Sequence, residues 1–496
     1  MIAADPIRIA AFDNTYARLP PAFFARQQPT PVLQPRLLLF NDALAGALGL
    51  QLEGLDRQTL AALFSGNVLA AGSDPLAMAY AGHQFGGFVP QLGDGRAILL
   101  GEILDREGRR HDLQLKGAGC TPFSRRGDGR AALGPVLREY LLSEHMHALG
   151  IPATRALAAV ATGETVLRER PLPGAILTRV AASHIRVGTF QFFRARGDLD
   201  GLRQLADYVI ERHYPQVRDA PQPYRALLRA VARAQAALVA QWLAVGFVHG
   251  VMNTDNMAVS GETIDFGPCA FLEHYDPDAV FSAIDEGGRY AYARQGPIAQ
   301  WNILCLAEAL LPLLDAQHER AVDCANEEIG AFAPAFEAQR LERMCAKLGL
   351  AEARPGDGAL VDDWLGLLHA ARADFTLSFR ELCAAAASPA AAGPRARFAD
   401  AAAYDNWIAR WRQRLQAEDR APAERARTML GCNPAYVARN HRVEQALDAA
   451  IDRGDLAPFR RLLDVVCRPY EEQPESADYA LAAAPGEAVL RTFCGT

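Results

Sequence analysis

At 496 residues, 50% of them apolar, the chain exceeds one ordinary domain and can bury two or three cores. A net charge of −7 excludes the basic footprint of nucleic-acid binding, and nine cysteines without a C-x-x-C pair exclude a zinc ribbon or a secreted disulfide framework. No apolar run approaches the roughly 20 residues of a membrane span. The opening MIAADPIRIAAFDN lacks the basic head and apolar core of a secretory signal, so a soluble, cytoplasmic protein is expected.

Residues 1–77 are expected to be an extension, proline-rich at first, that wraps the neighbouring domain, with one helix over 41–48 closed by Gly49. From 78 onward, strands are predicted over 88–92, 97–104 and 111–116. Gly93-Asp94-Gly95-Arg96 separates the first two, and a hairpin-type turn over 105–109 separates the second pair. In the first connector, backbone N–H groups can approach phosphate oxygens, and Arg96 follows at once; taken alone, the same tetrapeptide also makes a plain tight turn.

In the third strand Leu113 and Leu115 alternate with Asp112, Gln114 and Lys116, so Lys116 points away from the leucine face. The next helix starts near Gly134-Pro135, where proline suits the first turn, and stops at Gly150. Along it Glu139 shares an apolar stripe with Leu142, Met146 and Leu149. A carboxylate on a buried face needs a cation or a raised pKa. A strand lysine followed by a helix glutamate is also the order of the kinase ion pair that orients lysine onto nucleotide phosphates. Lys116 is therefore paired with Glu139.

A second GDGRA, 127–131, repeats 93–97 and adds Asp128 and Gly129 to a region already holding Arg125 and Arg126; five residues are too few for a structural repeat. A hairpin is expected from strands over 156–161 and 164–168, then a strand over 175–180. Arg179 lies in that last strand and Arg186 seven residues on. Both could reach a phosphate chain bidentately, although isolated arginines are more often surface charges.

A helix over 225–245, with Leu228, Val231, Leu238 and Trp242 on its apolar side, delivers the stretch HGVMNTDNMAVSGETIDFG, 249–267. Asn256 lies nine positions before Asp265 of its Asp-Phe-Gly, with a short hairpin expected over 257–264. Kinases hold Mg²⁺ between such an Asn and such an Asp. Their loop, H-R-D-x-x-x-x-N, places the base Asp two after the His and five before the Asn. Here that position is Val251. The metal-holding half of a kinase site is present and its usual base is missing. Beyond Asp265 the pattern is helical to the end, with an Ala/Pro-rich break over 384–395.

These residues, with AGHQFGGFVPQLGDGRA (81–97), LQLKGAGCTPFSRRGDGRA (113–131), TRVAASHIRVGTF (178–190) and HGVMNTDNMAV (249–259), make the chain resemble the selenoprotein O / YdiU family of protein adenylyltransferases nearly end to end. The resemblance implies an α+β, protein-kinase-like bilobal fold: a β-rich N-lobe over 78–182, a helical C-lobe over 183–330 and a helical C-terminal region over 331–496. It implies pseudokinases that bind ATP turned around and transfer AMP to protein Ser, Thr or Tyr hydroxyls, themselves included, releasing pyrophosphate. UMP transfer from UTP is implied for some relatives. By the same resemblance Gly93, Gly95 and Arg96 cradle phosphates, and Lys116, Asp128, Gly129, Arg179 and Arg186 contact the nucleotide. Asn256 and Asp265 hold Mg²⁺ or Mn²⁺, Asp265 also contacting the nucleotide, and Asp255 is the proton acceptor.

Some relatives carry selenocysteine near the C-terminus, where this chain has Cys494; Cys269 sits four residues past Asp265. Oxidation is expected to join Cys269 and Cys494 and pin the tail over the site, a free tail thiol beside a buried Cys269 being the alternative. The expected partners are ATP or UTP and protein substrates, with no nucleic acid and no membrane, and the chain is expected to act as a monomer. Two other functions stay open: a nucleotide-binding scaffold without turnover, and a small-molecule phosphotransferase whose His-Gly-Asp loop would correspond to His249-Gly250-Val251.

Overall fold

A computed structural model describes residues 7–493. Its first part is a sheet with helices on both faces. The strands are β1 (Phe24–Arg26), β2 (Arg36–Phe40), β3 (Leu76–Met78), β4 (Gly82–Gln84), β5 (Gly87–Val89), β6 (Ala97–Leu104), β7 (Arg110–Lys116), β8 (Ala131–Ala132), β9 (Arg155–Leu167) and β10 (Pro171–Ala181). Eight of them form one antiparallel sheet, ordered β1-β3-β6-β7-β10-β9-β2 with β8 beside β10. The stretch before 78 thus supplies β1, β2 and most of β3 to this sheet, together with α1 (Asp42–Ala47) and α2 (Arg57–Ser65).

Side-chain alternation decides what each face meets. Ile98, Leu113, Leu115, Val160 and Ile176 join Leu44 of α1 and Phe64 of α2 in one apolar cluster. Leu99, Ala159 and Leu177 meet Val136, Leu137 and Leu141 of α3 (Leu133–Ala148) on the other. Each buried leucine contributes about 1.5–3 kcal/mol, so a one-residue slip of β7, which would exchange Leu115 for Lys116, is strongly disfavoured. The same register leaves Lys116 on the α3 side.

The rest of the described chain is mostly helical: α4 (Val187–Ala195), α5 (Leu199–His213), α6 (Pro223–Ala244), α7 (Gln295–Leu314), α8 (His318–Lys347), α9 (Asp357–Ala371), α10 (Phe375–Ala387), α11 (Ala401–Gln416), α12 (Pro422–Cys432), α13 (Asn440–Arg453) and α14 (Ala457–Val466). Two short strands, β11 (Phe247–Val248) and β12 (Ala270–Phe271), flank the loop that contains Asp265. α13 and α14 return to pack on α3, so that helix is covered on both sides.

Three local expectations are corrected. The strand expected over 88–92 is instead β5, which ends at Val89 and, among the described residues, pairs with β4 as a separate ribbon. The hairpin expected around Gly163 is one continuous strand: β9 pairs with β10 on both sides of a bulge, and the chain reverses only between Leu167 and Pro171. Residues 257–264 form no hairpin. Ala258 bridges Arg186 and Thr263 bridges Ala153, so this segment pairs with other parts of the chain rather than with itself. Tyr292–Leu314, which includes α7, has the length and composition of a membrane span. Half of its apolar window is buried, packed against α6 and α8.

Candidate active site

The buried helix α6 ends at Ala244 and passes through Gly246 to β11 and His249. The His249 ring sets the shape of the loop that follows. Its Nε2 donates to the Ile264 carbonyl at 2.9 Å, and Nδ1 accepts from the Val251 N–H at 3.3 Å. Burial lowers its pKa, which keeps the ring neutral and able to do both. One side chain therefore ties the start of the loop to the residue before Asp265. Asp265 itself has φ 64°, in the left-handed region that costs a non-glycine residue energy and that is held only by surrounding contacts.

Those contacts are ionic. Asp265 Oδ1 accepts from Lys116 Nζ at 3.0 Å and from Arg179 Nη2 at 2.5 Å. Glu139 Oε2 accepts from Lys116 Nζ at 2.6 Å, and its Oε1 accepts from Arg179 Nε. Two cations from adjacent strands and two carboxylates, one from α3 and one from the loop, thus close a ring. Burial alone would raise both carboxyls. Lys116, Arg179 and Arg186 outweigh it at Asp265 and hold it well below the usual range; Arg179 and Lys116 do so at Glu139. Removing one member of such a buried set costs about 3–5 kcal/mol because its partners stay charged.

The ring borders a cleft of about 750 Å³ between the sheet and the loop. Gly93, Gly95, Arg96, Lys116, Asp128, Gly129, Arg179, Arg186, Asp255, Asn256 and Asp265 all line it, and Val251 lies among them. Glu139 sits behind Lys116, outside the lining. Gly129 has φ 67°, and a Cβ there would lie 2.1 Å from the Gly119 backbone, so the second GDGRA stretch folds flat against the loop after β7. Asp128 accepts from Arg168 Nη1 at 2.8 Å and turns that cation towards the cleft edge.

Arg186 caps the start of α4, packs 4.4 Å over the Tyr80 ring and donates from Nη1 to the Asp255 carbonyl at 2.8 Å. Burial pushes the Asp255 carboxyl up to about 6, against the opposing pull of Arg186 and of a hydrogen bond from Gln84. Its Oδ1 is buried with no hydrogen-bond partner among the described residues. Asn256 spends its Nδ2 on the Val251 carbonyl at 3.1 Å, which leaves the amide oxygen for another donor or a cation. Asp265 Oδ2 lies 3.7 Å from Arg186 Nη1, beyond hydrogen-bond reach.

No group of three or more His, Cys, Asp and Glu suited to a metal occurs among the described residues. The oxygens that remain on Asn256 and Asp265 nevertheless fit Mg²⁺ or Mn²⁺, hard ions that take one or two protein oxygens and complete their shell with phosphates and water.

Cys269 is buried and donates to the Phe266 carbonyl at 3.2 Å. Cys494 lies outside the described residues. Thr492, two positions before it, bridges Ser282 and donates its hydroxyl to the carbonyl of Pro268, the neighbour of Cys269.

Sequence reasoning missed several lining residues: Tyr80, Gln84, Asp94, Arg168 and Asn253. Asp94 is buried, accepts from the Met78 N–H at 3.2 Å and stands 3.7 Å from Arg186 Nη2. An acidic residue between two glycines was a visible signal. Arg168 and Gln84 had none, because their roles depend on partners 40 and 171 positions away.

The arrangement gathers cationic side chains over one cleft, supplies oxygens for a divalent cation, and puts an aliphatic residue where a kinase has its base. Such a cleft can bind a phosphate chain and stabilise charge on a phosphorus under attack.

The chain matches the family model described as "Protein adenylyltransferase SelO" over residues 6–467. It is 61% identical to the "Protein nucleotidyltransferase YdiU" of Rhizobium rhizogenes over 497 residues, covering 100% of this chain and 98% of that protein. The proteins of the same description from Rhizobium meliloti and Agrobacterium fabrum are 60% and 59% identical, each over 98% of this chain and 99% of theirs.

Proposed function

This chain belongs to the SelO family of protein adenylyltransferases, an enzyme family that transfers a nucleotide from a nucleoside triphosphate to protein, and on that premise we propose that it transfers AMP from ATP, or UMP from UTP, to protein Ser, Thr or Tyr hydroxyls with release of pyrophosphate. The single observation that carries this reading is the pairing of a complete cationic cleft with Val251 at the kinase base position. Phosphoryl transfer to a substrate hydroxyl uses a base there. Asp255, whose side chain lines the cleft one position before Asn256, offers an acceptor in its place.

In this reading Lys116, Arg179 and Arg186 neutralise the phosphate chain, Glu139 orients Lys116, and the Gly93–Arg96 and Asp128–Gly129 turns place backbone N–H groups against phosphate oxygens. Asn256 and Asp265 would hold Mg²⁺ or Mn²⁺, which when bound supplies charge stabilisation at the reacting phosphate. Asp255 accepts the hydroxyl proton as the oxygen attacks the α-phosphorus. The sheet part and helical part are proposed to be the two lobes of a kinase-like fold, and the active species to be one chain.

Intact-mass spectrometry after incubation with ATP and Mg²⁺ or Mn²⁺ tests this. A gain of roughly 329 Da, absent in Asp265→Ala, is the expected result. A gain of roughly 80 Da would mean phosphoryl transfer and refute the reading.

A further inference from the structure

The β4–β5 ribbon stands apart from the main sheet, yet it is docked residue by residue on the loop that carries Asp255. The His83 N–H donates to Thr254 Oγ1 at 2.7 Å, Gln84 Nε2 to Asp255 Oδ2 at 3.1 Å, and the Phe85 N–H to Asn253 Oδ1 at 3.1 Å. Three consecutive ribbon residues thus serve three consecutive loop residues. Thr254 Oγ1 in turn donates to Gln191 Oε1 at 2.6 Å, and Gln191 Nε2 donates to His83 Nδ1 at 2.8 Å, which closes a ring of hydrogen bonds.

The ribbon's turn is built to reach this place. Phe85 and Gly86 have φ 50° and 88°, the pair of positive values that a two-residue hairpin turn requires. Phenylalanine is costly there. It is held because Tyr290 packs 5.2 Å from its ring and donates its hydroxyl to Asn253 Oδ1 at 2.6 Å. Gly82 completes the fit: a Cβ at that position would lie 2.7 Å from Asp255 Oδ1 and 3.0 Å from Asp255 Cβ.

We propose that Gln84 and Gly82 are positioning residues for the Asp255 carboxylate during nucleotidyl transfer. Gln84 holds Oδ2 and stops rotation of the carboxylate, which fixes the group in the orientation in which it lines the cleft. Gly82 leaves the space that Oδ1 needs. The proposal rests on Asp255 being the proton acceptor, as proposed above. In the step it serves, the hydroxyl proton passes to a free lone pair of the carboxylate while the hydroxyl oxygen bonds to the α-phosphorus. The bond from that phosphorus to the β-phosphate bridging oxygen breaks, and its electron pair leaves with pyrophosphate. A carboxylate free to turn spends most of its time misaligned, and a misplacement of about 1 Å costs roughly 100-fold in rate.

The test uses the full chain, ATP and Mg²⁺, with self-modification and pyrophosphate release as readouts. Gln84→Met keeps the length of the side chain and removes the donor; Gly82→Ala keeps Gln84 and displaces Oδ1. Each is expected to lower kcat roughly 10- to 100-fold. ATP affinity by calorimetry should stay within about twofold and Tm should fall by no more than about 4 °C, far less than a 10- to 100-fold loss of folded enzyme would need, because the loss of rate lies in the transition state. Asp255→Asn and the double variant Gln84→Met/Asp255→Asn are measured alongside. The double variant should be no slower than Asp255→Asn, since Gln84 acts through that carboxylate.

Full activity of Asp255→Asn would remove the proton acceptor and this inference with it. An inactive Asp255→Asn beside fully active Gln84→Met and Gly82→Ala would overturn the inference alone. A fall in Tm or ATP affinity that matches the fall in kcat would reduce the ribbon to a brace and overturn it equally.

Discussion

Arg138 donates from Nη2 to the Cys269 carbonyl at 2.6 Å, so the helix that carries Glu139 is tied directly to the segment just past Asp265. Its other nitrogen, Nη1, pairs with Glu444 of α13 at 2.7 Å. One buried guanidinium therefore joins the sheet part, the cleft loop and the C-terminal helices. Arg138→Met takes a charged donor from a buried carbonyl and should destabilise the protein by about 2 kcal/mol. A lower urea midpoint with an unchanged m-value checks this. ATP affinity should fall with it, because α3 then holds Glu139 less firmly against Lys116.

Arg179→Lys separates charge from geometry. Arg179 bonds Glu139 through Nε and Asp265 through Nη2. An ammonium keeps the charge but cannot span both carboxylates with two fixed donors. A loss of roughly 100-fold in kcat is expected, comparable to removing one donor from a charge-stabilising site. Transfer kinetics within tenfold of the parent chain would show that only the charge matters.

His145 makes stability fall at mildly acidic pH. Burial lowers its pKa to about 4, while its ring donates to the Val466 carbonyl and accepts from the Ala438 N–H. Above the ordinary value of 6.5 the ring is neutral folded and unfolded, and contributes no slope. As pH falls from about 6.5 to about 4, the unfolded chain takes a proton that the folded chain refuses, so stability drops by up to about 1.4 kcal/mol per pH unit. Below that the effect levels off. His145→Gln should reduce the stability difference between pH 7 and pH 5 by roughly 2 kcal/mol, read from urea titrations at the two pH values.

Thr492 lies against Pro268: its hydroxyl donates to the Pro268 carbonyl, and its N–H donates to the Phe281 carbonyl at 2.6 Å. This supports a crosslink between Cys269 and Cys494, formed when an added oxidant such as diamide takes two electrons and two protons from the thiols. Peptide mapping of oxidised protein should recover the 269–494 pair, and Cys494→Ser should lose the response of activity to oxidant. A map without that pair and an unaltered oxidant response would end the proposal.

Lys116, Glu139 and Asp265 were legible because each obeys a local rule, whereas Asp128, Arg179, Arg186 and Asp255 were singled out through the family resemblance. Alternation in β7 put Lys116 opposite Leu113 and Leu115, and helical spacing put Glu139 on an apolar stripe. The spacing from Asn256 to Asp265 marked two residues that the structure brings to one cleft, with Val251 among its lining. The ribbon escaped notice for the opposite reason. Phe88 and Val89 have the composition of a strand, and composition cannot say whether that strand joins the large sheet or stands alone with β4. The turn expected at Gly163 became a bulge because β10 continues to pair beyond it.

By itself the sequence determined which residues carry charge, which faces are apolar and how the cleft residues are spaced, since these follow from side-chain chemistry and backbone period. Only the tertiary structure decided that Arg179 spans two carboxylates, that Gln84 reaches Asp255, and that Arg138 joins three separate regions. Those contacts close over dozens to hundreds of residues, and no local periodicity encodes the partner at the far end.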